Sequence, residues 1–145
     1  MEVSFYHVAE GNLIPSIIRL LEKAYLSGQR CIFFSPVEER VKLVDKILWT
    51  FSTNAFIPHG DKSLGFCEQQ PIYFTSQFEN PNDAKTLVLV DTLDHKKPGN
   101  FEKIVLIFEE KQQAENANLI YDDLKKNGEN VNYWKQTPNG WEKQQ

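Results

Sequence analysis

Asp91 and His59 are the side chains of this sequence best placed to do chemistry. Asp91 ends the apolar run Thr86-Leu87-Val88-Leu89-Val90. In open α/β sheets the carboxyl ends of strands face the ligand crevice. A carboxylate there is a natural general base or acid. His59, held between Pro58 and Gly60, could exchange a proton near neutral pH. Neither has a nucleophile or second base beside it in sequence. Asp91-Thr92 also reads as a turn, and His59 as a loop histidine bonded to backbone. The turn and loop readings outweigh the catalytic ones. A small α/β enzyme working near Asp91 and His59 stays as the alternative.

Other chemical signatures are missing. There is no GxGxxG after the first apolar run, no GxxxxGKS/T and no GxSxG elbow. His7, His59 and His95 are widely spaced, with no HExxH and no CxxC. No catalytic, cofactor-binding or metal-ligating residue is assigned, and no cofactor is expected. Cys31 opens the run Cys31-Ile32-Phe33-Phe34 and reads as a small buried core residue, whereas Cys67 falls in a loop-like stretch. Two cysteines do not make a disulfide framework.

These residues must be positioned by regular elements. Val3–Val8 reads as a first strand. Leu13, Ile17, Leu20, Leu21 and Ala24 recur at helical spacing, with Pro15 in the first turn and Gly28 placed to end the helix. A second strand covers Gln29–Phe34. Ser35-Pro36-Val37-Glu38 reads as a capping box opening a helix, with Val37, Val41, Val44 and Leu48 as its core stripe. Residues 52–70 look loop-like, and Pro71–Thr75 suggests a strand. Thr86–Val90 and Lys103–Phe108 are strong buried strands. Glu109-Glu110 open a last helix, placing acids at its positive end, with Ala114, Ala117, Tyr121 and Leu124 as its stripe and Gly128 as its stop. Val131–Gln136, the Thr137-Pro138-Asn139-Gly140 turn and Trp141-Glu142-Lys143 suggest a terminal hairpin. Strands alternating with helices give an α/β fold, a largely parallel sheet covered on both faces, in one domain spanning residues 1–145.

Composition bounds the class. The chain has 145 residues, 41% of them hydrophobic and 25% charged, enough for one core. Its net charge of −4 argues against binding duplex DNA through phosphates. No signal peptide or membrane-length apolar run is visible, so a soluble, cytoplasmic protein is expected, monomeric on its own.

Aromatic residues without catalytic neighbours suggest a protein-binding surface. On a helical wheel, Trp49 lies ~100° from the Val37/Val41/Val44/Leu48 stripe, near Glu38, Lys42 and Asp45. A loop can cap such a tryptophan, or a partner can meet it; with Phe56 it has the makeup of an interface hot spot. In the last helix, Tyr121 sits at the edge of its stripe, with Asn118 and Lys125 one turn away and Lys126 nearby. That flank could receive an acidic, apolar-ended peptide; alternatively it is plain solvated surface. Trp49, Trp134 and Trp141 also allow a direct single-stranded DNA binder, against which the acidic charge argues.

Phe5-Tyr6-His7, Leu21-Glu22-Lys23-Ala24-Tyr25, Gly28-Gln29-Arg30, Glu39-Arg40 and Leu48-Trp49 occur in order. They are followed by Phe56-Ile57-Pro58-His59-Gly60, Pro71-Ile72, Gly128, Val131, Tyr133-Trp134 and Gly140-Trp141-Glu142. In that order and spacing the chain resembles the chi subunit family of bacterial DNA polymerase III holoenzyme. The resemblance implies a Rossmann-like three-layer fold without nucleotide or catalysis. It implies an accessory subunit of the clamp-loader complex that links the replicase to single-stranded DNA-binding protein by gripping that protein's acidic C-terminal tail, which ends in Pro-Phe. Trp49 and Phe56 match the family's aromatic positions in the surface for the psi subunit, where one exists, or for a helicase-like partner. Tyr121 and Lys125 match the tail-binding surface, with Lys126 and Lys135 as further cations. Asn118 and Asp122 depart from the family's basic positions there.

Overall fold

The computed structural model describes residues 2–50, 59–60, 71–81, 83–96 and 101–144. In chain order these form β1 (Glu2–His7), α1 (Leu13–Leu26), β2 (Cys31–Phe34), α2 (Glu38–Thr50) and β3 (His59–Gly60). There follow β4 (Ile72–Thr75), β5 (Thr86–Leu89), β6 (Lys103–Phe108), α3 (Lys111–Lys126), β7 (Asn130–Thr137) and β8 (Gly140–Gln144). The strands make one sheet in the order β3-β4-β2-β5-β6-β1-β7-β8. Every pairing is parallel except the β7–β8 hairpin.

Continuous apolar runs become strands because both faces are covered. Successive side chains alternate between two cores. Cys31 and Phe33 join Val88, Val105 and Ile107 against Ile17, Leu21, Val41, Val44 and Leu48 of α1 and α2. Ile32 and Phe34 join Phe5, Leu87, Leu89 and Leu106 against Ala114, Ala117 and Tyr121 of α3. The result is the expected three-layer α/β/α arrangement with a C-terminal hairpin. Burial drives the Cys31 thiol up to about 12, so it stays a neutral core group, as its apolar setting suggests. Cys67 lies outside the described residues.

Two helix ends follow their sequence signals. Gly28 and Gly128 adopt φ of +75° and +76°. After each helix the glycine amide bonds a carbonyl three residues back, Tyr25 or Lys125. The next amide reaches five back, Gln29 to Ala24 and Glu129 to Leu124, which satisfies the last carbonyls of each helix.

Two helix starts depart from expectation. The capping box at α2 does not form. The Ser35 hydroxyl donates to Asp91 Oδ2 at 2.8 Å and accepts from the Val37 amide at 3.1 Å, and the helix begins only at Glu38. Glu38 pairs instead with Lys42 at 3.3 Å. Val37 consequently sits outside the core, 43% exposed, while Val41, Val44 and Leu48 are buried as read. At α3, Glu109 and Glu110 precede the first turn, which contains no acid. Glu109 turns to the β1–α1 loop, where its Oε1 accepts from the Gly11 amide at 3.0 Å.

The topology has one switch point. From β1 the chain crosses by α1 to β2 on one side; from β6 it crosses by α3 to β7 on the other. The two connections lie on opposite faces and diverge at the adjacent carboxyl ends of β1 and β6. In this architecture ligands commonly bind there.

Candidate partner-binding surface

At the carboxyl edge, the usual ligand position in this architecture, the polar side chains are bonded to one another. Asp91, in left-handed backbone at φ 63°, receives the Arg40 fork through Nε at 3.1 Å and Nη2 at 3.3 Å, together with the Ser35 hydroxyl. This ties the first turn of α2 to the end of β5. At the switch point Glu109 takes the Gly11 amide. Gly11 lies in the loop after β1, the loop that carries the phosphate-binding glycines where a fold of this plan binds a nucleotide. Gln136 Oε1 accepts from the Ala9 amide at 2.9 Å and from Asn12 Nδ2 at 3.2 Å, pinning the β1–α1 loop to β7. His7 stacks on Phe108 and meets the Glu109 carbonyl at 3.2 Å. Burial, with Lys135 nearby as a lesser cause, holds the His7 imidazole below its ordinary pKa, while the Glu109 contact opposes them. The remaining cavity of about 250 Å³ is lined by Asp91, Glu109, Glu110 and the paired Arg40. Among the described residues, no cluster of three or more His, Cys, Asp or Glu could hold a metal ion.

Asp91 and His59 do not come together. His59 is level with Ile72, and through the parallel register with Cys31 and Thr86, at the amino ends of their strands. Asp91 lies beyond the carboxyl end of β5, with β4 and β2 between the two strands. Strand rise and spacing put their backbones roughly 20 Å apart. An acid–base pair built on these two residues is therefore corrected by the sheet register. His95 caps its own loop, its Nδ1 meeting the Leu93 carbonyl at 3.4 Å.

The flank of α3 is different. Asn118, Asp122, Lys125 and Lys126 are all exposed. Tyr121 is not at an open edge: it is 8% exposed, its ring edge-on to Phe5 (6.0 Å, 89°) and to Tyr133 (5.7 Å, 76°). Phe5 and Tyr133 stack at 5.8 Å, so Tyr121 closes a three-ring cluster. Lys125 Nζ lies over the Tyr121 ring, 5.7 Å from its centroid. The surface offered is an ammonium seated on an aromatic rim, flanked by Asn118 and Asp122. Lys126 is about 100° round the helix from Lys125. Two turns back on the same side of the helix as Lys126 is Leu119, 70% exposed and outside the stripe pattern. Its signal in sequence was an apolar residue off the stripe, directly after Asn118.

The second aromatic surface lies largely outside the described residues. Phe56 is not among them, and of Trp49 only its place in the last turn of α2 is described. The other two tryptophans share the α1-facing side of the hairpin. Trp134 is opposite Lys143, whose Nζ lies 5.8 Å from its ring centroid, and Trp141 is opposite Gln136.

Fold and surface together define an α/β sheet protein of Rossmann-like plan whose carboxyl-edge polar groups are held by the Arg40–Asp91 ion pair and by hydrogen bonds to one another. A family model described as DNA polymerase III chi subunit, HolC, matches residues 1–132. The chain belongs to this family of DNA polymerase III accessory subunits. It is similar to "Probable DNA polymerase III subunit chi" of Rickettsia prowazekii (strain Madrid E), with 33% identity over 107 residues. The match covers 74% of this chain and 65% of the relative, so the chain spans just under two thirds of that relative's length.

Proposed function

We propose that this chain is a non-catalytic accessory subunit of the clamp-loader complex, linking the replicase to single-stranded DNA-binding protein by holding that protein's acidic C-terminal tail. The observation that carries the reading is the α3 flank: Lys125, one ring contact above Tyr121, in a chain of the chi family. An ammonium over an aromatic rim suits a ligand that pairs a carboxylate with an apolar terminal side chain. Lys125 and Lys126, in the last turn of α3, add to the cationic end of the flank. Asn118 supplies an amide, and Asp122 sets a limit on affinity by repelling acids. Trp49 and Phe56 are assigned to a separate surface for psi, where the cell has one, or for a helicase-like partner. The bonding of the Asp91 carboxylate by Arg40 and Ser35 supports the non-catalytic part of the reading.

A tryptophan-fluorescence titration with an acidic peptide ending in Pro-Phe tests it. The expected dissociation constant is micromolar, about −8 kcal/mol, and weakens with salt. Lys125→Ala weakens it further, as does amidation of the peptide's terminal carboxylate. A peptide that does not bind, or that binds equally well when amidated, would remove the reading.

A further inference from the structure

A cleft on the opposite side of the sheet has the features of a docking site that the tail reading does not use. It lies between α1 and the hairpin and encloses about 180 Å³. Its walls are Tyr6, Leu20, Ile107 and Trp141, with Arg19 and Lys23 at the rim. Trp141 meets Tyr6 edge-on at 5.4 Å and 85°, yet keeps 39% of its surface open. Tyr6 is itself desolvated, which raises its hydroxyl above the ordinary tyrosine range, with Glu2 adding to the effect.

Charge gives the cleft its selectivity. Acidic residues outnumber basic ones 20 to 16 in the whole chain, but no acid lines this cleft. Arg19 and Lys23 are one helical turn apart and both exposed. Neither forms a salt bridge among the described residues, whereas Arg40, Lys42, Lys85 and Lys103 each do. The cleft also continues. A second cavity of about 130 Å³ shares Tyr6, Leu20 and Lys23 and runs along α1 to Gln29 and Lys103, again without an acid in its lining. A chain segment can therefore lie along α1 with one side chain inserted at Trp141.

We infer that the cleft between α1 and the hairpin docks an internal acidic segment of a partner protein, with one bulky apolar side chain between Tyr6 and Trp141 and flanking carboxylates on Arg19 and Lys23. Aromatic walls with cations at the rim are the usual makeup of an interface anchor point. Two rim cations beside one aromatic anchor suit a short acidic segment better than a nucleic-acid strand, which needs a longer basic stripe along its phosphates.

The probe is the doubly blocked peptide acetyl-Glu-Asp-Phe-Asp-Glu-amide, titrated calorimetrically into the intact protein at low salt. Having no terminal carboxylate, it separates this surface from the tail reading. Arg19→Ala combined with Lys23→Ala is expected to weaken binding about tenfold. Replacing the peptide's Phe by Ser is expected to abolish binding, and Lys125→Ala to leave it unchanged. Both cations are exposed, so the double variant should keep the wild-type circular dichroism spectrum. The inference is overturned by a probe that does not bind, by binding the double variant does not weaken, or by binding that is lost in Lys125→Ala. It is also overturned if oligothymidylate binds and the same double variant abolishes that binding, since the cleft would then be a nucleic-acid surface.

Discussion

The carboxyl edge of the sheet and the flanks of its helices treat charge in opposite ways. At the edge, charged and polar groups bond one another: Arg40 to Asp91, Ser35 to Asp91, Glu109 to the Gly11 amide, Gln136 to the β1–α1 loop. On α1 and α3, Arg19, Lys23 and Lys125 face outward and have no carboxylate partner among the described residues; Lys125 meets only an aromatic ring. The same architecture elsewhere binds small molecules at the switch point. Here the polar groups around that crevice are bonded to one another, and these cations without a carboxylate partner among the described residues lie on the helices. Where a fold usually binds is thus a weaker guide than which of its polar groups are still free.

Substitutions at the two kinds of site should differ sharply. The largest effect is expected within α3 itself. Tyr121→Ala removes one ring of the Phe5–Tyr133 cluster and should cost about 3–5 kcal/mol in chemical denaturation. Lys125→Ala, one turn away, should stay within about 0.5 kcal/mol while weakening tail binding. Equal losses of stability would show that the flank is structural. Next comes the edge. Asp91→Ala leaves the Arg40 fork and Ser35 hydroxyl without their acceptor, and a loss of about 1–3 kcal/mol is expected. A variant as stable as the wild type, with altered ligand binding, would mean that the edge is a site after all. A smaller loss, about 1 kcal/mol, is expected for Gly128→Ala, because an alanine at φ +76° is strained.

The smallest expected effect is one of pH. The folded state holds the His7 pKa below its ordinary 6.5, first through burial. The unfolded chain therefore binds the proton more readily. The fold loses stability as pH falls through 6.5 toward the lowered folded value, and the loss levels off below it. Stability measured between pH 7 and 5 should decline less in His7→Gln than in the wild type. An unchanged slope would place the titration elsewhere.

How much of this was readable in the sequence depended on how local each interaction is. The strands were legible because Cys31–Phe34, Thr86–Val90 and Lys103–Phe108 are apolar on both faces. Both Schellman ends were legible because Gly28 and Gly128 act within five residues of their partners. The start of α2 was not, because the Ser35 hydroxyl is drawn to Asp91, 56 residues on. Glu109 likewise leaves its own helix for Gly11, 98 residues back. Tyr121 looked like an edge residue on the helical wheel, but its burial is set by rings from β1 and β7. The separation of His59 from Asp91 follows from sheet register, which neither residue encodes locally. Arg19 and Lys23 stand one helical turn apart, but the cleft they rim is made by the hairpin tryptophan, which only the pairing of β1 with β7 brings to them. The roles of Trp49 and Phe56 rest on family resemblance, since Phe56 and the Trp49 side chain are outside the described residues.

The most direct test is to map the tail peptide onto the protein, following backbone amide resonances of the ¹⁵N-labelled chain as the Pro-Phe-ended peptide is added. The account predicts shifts concentrated along α3, from Asn118 to Lys126, and into Tyr133, with Gly11, Arg40 and Asp91 unmoved. Shifts centred on Gly11 and Asp91, with α3 silent, would contradict it.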